Sequence, residues 1–273
     1  SCASNWGNSD MEKAVLKGLR MGQILGRKLK IRNEETTLKS TRRDTGRIDR
    51  RLIAELGFGN DRVFSNTFKT DFTDGFIHIS IDASGSMSGS KMEKSVTSAV
   101  AVAKACSMIE GIDVKITLRT TTNDYNYGQH LPFVLNAYDS RKDDISKIKT
   151  LFPKLNASGT TPEGLCFEAL MKSIIKDSKG KDSYFVNYSD GMPMFNNKTL
   201  YYTGDESRQH TKTQVDMMKR NGIKILSYFI GSSYGGDSYE RDFKDMYGSD
   251  AQYIDVESVT AVAKTINRKM LNQ

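Results

Sequence analysis

Hydrophobic and polar positions follow two different patterns along the chain, and the change falls near residue 75. Beyond that point, short apolar runs alternate with amphipathic stretches. The short runs predict six strands, at residues 76–81, 114–120, 131–135, 183–188, 223–230 and 252–256. The amphipathic stretches predict helices at residues 91–110, 139–150, 162–176, 206–221, 237–247 and 258–271. Strands separated by helices imply right-handed crossovers, so we predict a doubly wound α/β fold: a mostly parallel six-stranded sheet with helices on both faces.

The first part of the chain is more polar and less regular. It is predicted to contain a helix at residues 10–31, a polar connector at 33–45, a short helix at 48–56 and an irregular segment at 59–74. The apolar positions of the first helix recur near helical spacing, at Val15, Leu19, Ile24 and Leu25. We therefore divide the chain into an N-terminal extension, residues 1–74, and one domain, residues 75–273.

Positive charge is concentrated in the N-terminal extension. The whole chain has a net charge of +7, and residues 11–51 alone hold thirteen Lys and Arg against five Asp and Glu. A basic arm of this kind favours an acidic partner, either a nucleic acid or an acidic protein surface. The alternative is a solvated, partly helical arm, because no aromatic residues are interleaved for base stacking.

Several classes of protein do not fit the sequence. No apolar run approaches the ~20 residues that a membrane span needs, and the polar N-terminus lacks the apolar core of a signal peptide. The three cysteines, Cys2, Cys106 and Cys166, have no spacing typical of a zinc site or a disulfide framework. We expect Cys106 and Cys166 to be core residues of helices, and we expect a reducing, cytoplasmic location.

Oxygen-bearing side chains cluster directly after the first predicted strand of the domain. Asp82 ends that strand, and Ser84 and Ser86 follow on a turn that Gly85 permits. One carboxylate and two hydroxyls can thus converge on one point. Hard divalent cations prefer oxygen ligands, whereas softer metals prefer His or Cys, which are absent from this segment. The segment therefore predicts a site for Mg²⁺, with Mn²⁺ or Ca²⁺ as alternatives.

Two further loops make this motif specific. The Asp-x-Ser-Gly-Ser segment at residues 82–86 resembles the metal-ion-dependent adhesion site of von Willebrand A domains, which also uses a Thr and an Asp from two later loops. The resemblance, which covers residues 75–271, assigns these ligands to Thr161, in Ser-Gly-Thr-Thr-Pro, and to Asp190, in Tyr-Ser-Asp-Gly. Thr160 stays open as the alternative to Thr161, and Ser189 replaces the usual Thr before the Asp. The resemblance implies that the metal ligands are Asp82, Ser84, Ser86, Thr161 and Asp190.

The same resemblance implies what the site does. In this family the metal is usually not catalytic, and a partner protein's acidic residue completes its coordination. A shorter similarity, over residues 45–52 and 61–64, links the chain to the CobT-type subunit of cobaltochelatase and its bacteriophage relatives, although the long acidic stretch often found in that subunit is missing. This similarity implies an AAA+ ATPase of the chelatase or MoxR type as partner, with the host cytoplasm or a virion as location if a phage encodes the chain. The chain itself has no phosphate-binding Gly-x-x-x-x-Gly-Lys-Ser/Thr segment.

Three alternatives to a metal-dependent adaptor remain at this stage. A hydrolase would use Mg²⁺ to activate water and would need a general base, for which Glu163 is the one obvious candidate in the matched loops. As an acid in the first turn of a helix, however, Glu163 already has a structural explanation. His78, His130 and His210 are scattered, and His78 is expected to be a packed strand residue. A nucleic-acid-binding protein would act through the basic arm, and a structural or assembly protein would use the fold for contacts alone.

Overall fold

The computed structural model of the protein describes residues 9–35, 38–43, 45–68, 74–122, 130–231, 237–249 and 251–271. Cys2 and most of the segment between residues 121 and 130 lie outside these ranges. Among the described helices, none is both long enough and apolar enough to cross a membrane.

The elements alternate along the chain as a strand–helix fold requires. The strands are β1 Leu38–Arg43, β2 Arg47–Ile48, β3 Phe64–Phe68, β4 Gly75–Asp82, β5 Ile112–Thr121, β6 Pro132–Asp139, β7 Asp182–Ser189, β8 Phe195–Asn196, β9 Tyr201–Tyr202, β10 Lys224–Ile230 and β11 Gln252–Ile254. The α-helices are α1 Ser9–Glu35, α2 Ile53–Leu56, α3 Ser90–Cys106, α4 Ser146–Leu151, α5 Glu163–Ser178, α6 Gly204–Arg220, α7 Asp237–Tyr247 and α8 Val262–Leu271. Short 3₁₀ turns lie at Gly85–Met87, Phe152–Lys154 and Val256–Ala261.

The central sheet has six strands in the order β11-β10-β7-β4-β5-β6. Neighbouring strands run parallel except β6, which is antiparallel to β5. Helices α1, α3, α4 and α8 cover one face, and α5, α6 and α7 cover the other. The predicted doubly wound α/β fold with a mostly parallel six-stranded sheet is therefore confirmed.

The order of the strands places a crevice between β4 and β7. From β4 the chain moves outward to β5 and β6, and then returns to pair β7 with the other edge of β4. Such a switch of direction separates the loops that leave the carboxyl ends of the two strands. The loops after Asp82 and after Ser189 both open into this crevice, which is where this class of sheet binds ligands.

Strand β4 is buried on both faces, and all eight of its residues are inaccessible. Ile77, Ile79 and Ile81 face the core under α3. The opposite face carries the polar residues His78 and Ser80, whose hydrogen bonds are made within the core. The His78 ring bonds the Thr117 hydroxyl at 2.9 Å, and the Ser80 hydroxyl accepts from Arg119. The expected packed position of His78 is thus confirmed. Burial lowers the pKa of His78 to about 3.

Helix α1 packs against α3 through a row of glycines. Gly18, Gly22 and Gly26 lie one turn apart, so they share one face of the helix. A Cβ atom at Gly22 would lie 2.5 Å from the Ala101 carbonyl oxygen, and one at Gly18 would lie 2.7 Å from the Thr97 carbonyl oxygen. The contact therefore depends on the absence of side chains on α1. The domain boundary near residue 75 stays a prediction, but α1 belongs to the packing of the domain.

The apolar face predicted for α1 is correct in part. Val15 is buried and Leu19 and Leu25 pack against the core, whereas Ile24 is 58% exposed. Ile24 lies five positions after Leu19, and the packed face continues through Gly22 and Gly26 instead. The helix itself is confirmed and runs a few residues beyond the predicted bounds.

The rest of the N-terminal extension was predicted incorrectly. The expected connector at 33–45 contains β1, and the irregular segment at 59–74 contains β3. The expected helix at 48–56 begins with the last residue of β2 and has only one turn of helix, Ile53–Leu56. These three strands form a small antiparallel sheet in the order β1-β3-β2. Strands β1 and β2 are mostly polar or basic and lack the alternation that marks a half-buried strand, and the structure defines them by their pairing with β3.

Several boundaries within the domain also differ from the prediction. Strand β6 extends through Asp139, into residues expected to be helical, and α4 is only six residues long. Ser140 begins a turn instead of a helix, because Asp139 accepts hydrogen bonds from the backbone and side chain of Arg141. The last predicted helix, at 258–271, begins as a 3₁₀ turn that Asp255 caps through the Ser258 N–H.

Candidate metal centre

Three loops meet at the carboxyl ends of β4 and β7, and backbone hydrogen bonds hold two of them together. Gly85 N–H donates to the Gly159 carbonyl at 3.0 Å, and Ser158 N–H donates to the Ala83 carbonyl at 2.7 Å. Gly159 has φ 82° and lies against the Thr121 hydroxyl, so a side chain at this position is both strained and blocked. The first and second loops are thus fixed relative to each other before any ligand binds.

Asp82 lies at the centre of the cluster. Its side chain is fully buried. Oδ2 accepts hydrogen bonds from the Thr161 hydroxyl at 3.3 Å and the Ser189 hydroxyl at 3.1 Å, while Oδ1 accepts from the Ser84 N–H at 2.8 Å. One carboxylate therefore gathers hydroxyls from the second and third loops, as the sequence pattern requires.

A second carboxylate closes the cluster on its other side. The Ser84 and Ser86 hydroxyls are 3.1 Å apart, and the Ser86 hydroxyl donates to Asp190 Oδ1 at 2.7 Å. The Asp190 side chain has no exposed surface. All five residues named from the sequence, Asp82, Ser84, Ser86, Thr161 and Asp190, thus lie in one hydrogen-bonded group.

The geometry favours Thr161 over Thr160 as the contributor from the second loop. The Thr161 hydroxyl faces Asp82, whereas the Thr160 N–H bonds the Thr121 hydroxyl. Thr161 is also linked to the third loop, because its carbonyl accepts from the Met194 N–H at 2.9 Å.

Two residues in contact with the cluster were not foreseen. Lys91, in the first turn of α3, lies with Nζ 2.5 Å from Asp190 Oδ2. Ser189, noted from the sequence only as a replacement for Thr, bonds Asp82 directly. Lys91 and Asp190 lie 99 residues apart in the sequence, so no spacing within one loop or helix indicates their contact.

A buried ion pair lies beneath Asp82. Arg119 on β5 donates to Glu163 Oε1, to the Ser80 hydroxyl at 3.0 Å and to the Tyr188 carbonyl at 3.3 Å. Arg119 is 1% exposed and Glu163 is 0% exposed. Glu163, the candidate general base of a hydrolase, is therefore engaged by an arginine and by the Asn187 amide instead of facing the cleft.

The electrostatics of the centre favour a cation. Burial raises the pKa of the Asp82 carboxyl, and the nearby Asp190 charge raises it further, while Arg119 and the Ser84 N–H oppose the shift. Burial also raises the pKa of Glu163, against the effect of Arg119. A buried carboxylate with a second carboxylate close by is stabilised in its charged form by any cation that approaches both.

The donors present fit a hard divalent cation. They are two carboxylates and three hydroxyls, which are oxygen ligands of the kind that Mg²⁺ and Mn²⁺ accept. Across the described ranges, no three His, Cys, Asp or Glu side chains come together as a metal-binding group. Any metal at this centre would therefore depend on the Ser and Thr hydroxyls as well as on Asp82 and Asp190.

A cleft of about 830 Å³ opens beside the cluster. The polar end is lined by Ser84, Ser86, Thr161 and Asp190, and the cleft continues past Met192, Met194, Phe229 and Tyr253 toward α6 and α7. Met194 is 46% exposed even though its backbone is tied to Thr161. The cluster thus lines a groove whose other lining residues include apolar side chains as well as the charged Arg208 and Asp242.

Comparison with solved structures defines the fold class. Two crystal structures of the pilus adhesin SpaC from Lactobacillus rhamnosus GG, one in an open conformation, match 74% of this chain with TM-score 0.54 and 12% identity. The chain spans about a third of the length of that adhesin, 31% and 30% in the two structures. The manganese-loaded TRAP protein of Plasmodium vivax gives a weaker likeness, with TM-score 0.44, 13% identity and coverage of 71% of this chain and 74% of that one.

The chain has a von Willebrand A-like fold, in which the cluster occupies the switch-point crevice. The sequence itself matches no model of a protein family. It likewise matches no curated protein.

Proposed function

We propose that the protein is a metal-dependent protein-binding module. The observation that carries the proposal is the convergence of three separate loops on Asp82 and Asp190, whose side chains are both inaccessible to solvent. Ordinary turn and helix-cap chemistry explains each loop singly. That chemistry does not explain why the side-chain oxygens of residues 82–86, 161 and 190 lie within hydrogen-bond distance of one another.

In this proposal Asp82, Ser84, Ser86, Thr161 and Asp190 hold the metal, with Mg²⁺ as the resident ion and Mn²⁺ or Ca²⁺ as substitutes. Bound there, the metal supplies a Lewis-acidic position that accepts an anionic oxygen. The protein supplies the rest. Asp82 and Asp190 provide the charge, the hydroxyls fix their orientation, and the backbone links between the first two loops keep the cluster assembled.

The residues that line the neighbouring groove indicate what kind of partner segment would fit it. A protein segment with an Asp or Glu for the metal, followed by apolar residues, would place those residues against Met192, Met194 and Tyr253. Exposed methionines adapt to varied apolar surfaces, which suits a docking site. The engagement of Glu163 by Arg119 supports a binding role over a hydrolytic one, because it removes the candidate base.

We further propose an AAA+ ATPase of the chelatase or MoxR type as the motor that works with this module. The support is the sequence similarity of residues 45–52 and 61–64 to the CobT-type subunit of cobaltochelatase and its phage relatives. A location in the cytoplasm belongs to the same proposal, with the host cytoplasm or a virion as the location if a phage encodes the chain.

Titration of Mn²⁺ into metal-stripped protein tests the proposal. We expect about one equivalent to bind to the wild type and none to Asp82→Ala. Asp113→Ala is the matched control, because Asp113 lies at the opposite end of the sheet and pairs with Lys181. Far-UV circular dichroism checks that each variant is folded. Equal Mn²⁺ binding by the wild type and Asp82→Ala would refute the proposal.

Capture experiments then separate the module from its rivals. Partner binding through the metal is abolished by EDTA and by Asp82→Ala. Nucleic-acid binding through the basic arm would instead persist in EDTA and fall steeply with salt. A structural role would appear as large assemblies in gel filtration and electron microscopy.

A further inference from the structure

Lys91 occupies a position that gives it direct influence over the proposed metal centre. Its ammonium lies 2.5 Å from Asp190 Oδ2, and the Ser86 hydroxyl takes the other oxygen of the same carboxylate. The Lys91 side chain is 29% exposed and lines the cleft at its polar end. It therefore reaches both the buried carboxylate and the space in which a partner would bind.

The charges around the cluster can be counted from the contacts. Arg119 and Glu163 neutralise each other, and Arg208, farther along the cleft, pairs with Asp242. A carboxylate that holds a metal is ionised, so what remains is one positive charge from Lys91 against the negative charges of Asp82 and Asp190. The cluster alone thus has a net negative charge of one, and a divalent cation would change it to a net positive charge of one.

Without Lys91 the same cation would leave the cluster neutral. A neutral cluster holds its cation more tightly, because no ammonium repels the metal. It attracts a carboxylate less, because no positive charge remains for it. The two effects have opposite signs: Lys91 lowers the affinity for the metal and raises the affinity of the metal-loaded centre for an anion.

We propose that Lys91 sets the charge of the metal-loaded centre, weakening metal binding and selecting a carboxylate as the ligand of the open position. This inference rests on the proposed function and adds a determinant of partner chemistry that lies outside the five metal ligands.

Replacing Lys91 tests the inference with two readouts. Mn²⁺ affinity is measured by the electron paramagnetic resonance of free Mn²⁺, and acetate binding to the Mn²⁺-loaded protein is measured by water-proton relaxation. We expect Lys91→Met to bind Mn²⁺ about tenfold more tightly and acetate about tenfold more weakly, as partly screened charges a few ångströms apart allow. Lys91→Arg, which keeps the charge, should stay closer to the wild type in both readouts.

Lys94→Met is the matched control. Lys94 lies one turn farther along α3 and loses the same charge, but it pairs with Glu257, in the 3₁₀ turn at Val256–Ala261, instead of with Asp190. We expect its two affinities to equal those of the wild type at moderate salt. Added salt should reduce the difference between Lys91→Met and the wild type, because exposed charges are screened.

The outcomes separate this inference from the proposed function. If the wild type binds Mn²⁺ and Lys91→Met matches it in both readouts, the charge role of Lys91 is wrong and the metal centre stands. If Lys91→Met loses Mn²⁺ affinity, Lys91 is instead a support that orients Asp190, and the inference is overturned. If the wild type binds no Mn²⁺, both the proposed function and the inference are refuted.

Discussion

Replacing Arg119 by methionine should strongly destabilise the protein, because it leaves a carboxylate alone in the core. Arg119 is 1% exposed, its partner Glu163 is 0% exposed, and the guanidinium also bonds the Ser80 hydroxyl. Removing one partner of a fully buried ion pair costs about 3–5 kcal/mol, and the lost bond to Ser80 contributes about 1 kcal/mol within that range. We therefore expect Arg119→Met to lower the free energy of unfolding by about 4 kcal/mol.

The double variant Arg119→Met/Glu163→Met distinguishes charge from packing. Removing both charges takes away the uncompensated carboxylate, so the double variant should be more stable than Arg119→Met alone, and the coupling energy should be at least about 3 kcal/mol. Urea unfolding followed by far-UV circular dichroism gives all four free energies. Arg208→Met is the control, because its two partners, Asp205 and Asp242, are 88% and 36% exposed, and the loss of these surface pairs should cost less than about 1 kcal/mol. Additive effects, or a cost below about 1 kcal/mol for Arg119→Met, would refute the reasoning.

Three further predictions concern packing, pH and thiol chemistry. Gly22→Ala should lower the free energy of unfolding even though Ala is the better helix former, because its Cβ would lie 2.5 Å from a carbonyl oxygen of α3. Urea unfolding measures the change in this free energy. Gln23→Ala, on the exposed face of α1, is the control and should not be destabilising. Burial lowers the pKa of His78 to about 3, so between pH 6.5 and 4 only the unfolded chain gains this proton. Stability should then fall by up to about 1.4 kcal/mol per pH unit as the pH drops, and a His78→Asn variant should show a shallower slope in unfolding curves taken across that window. Burial raises the pKa of Cys106 and Cys166 to about 12, so a maleimide should label them only after denaturant is added, as mass spectrometry of the native and unfolded protein would record.

The alternating part of the fold could be predicted because burial leaves a clear pattern in the sequence. Strand β4 is apolar at every second position and short, and the helices that follow are amphipathic, so both periods are readable without any contact information. The antiparallel direction of β6 could not be predicted in this way. It follows from the path of the chain, and the same residues would serve a parallel strand.

The features that the sequence did not reveal are those that depend on contacts with other elements of the same chain. Strands β1 to β3 are held by one another, and their sequences show no buried face. In the sequence, the glycines of α1 are only weak helix formers. Their role is visible once α3 is in place, because a Cβ atom at Gly22 would lie 2.5 Å from a carbonyl oxygen of α3. In both cases the informative contact joins residues far apart in the sequence.

The candidate centre was partly readable for a related reason. Asp82, Ser84 and Ser86 lie in one loop, and the resemblance supplied Thr161 and Asp190. The ion pair of Arg119 and Glu163 joins β5 to the first turn of α5, and the contact of Lys91 with Asp190 joins the start of α3 to the end of β7. Sequence spacing indicates which residues can be neighbours only within a loop or a helix, so these pairs required the fold.

The most direct test of the metal centre is the anomalous scattering of Mn²⁺ in crystals of the protein grown with that ion. The account predicts one strong peak enclosed by Asp82, Ser84, Ser86, Thr161 and Asp190, lost in crystals of Asp82→Ala. A crystal with Mn²⁺ in the mother liquor and no peak at this position, or with a peak that survives in Asp82→Ala, would contradict it.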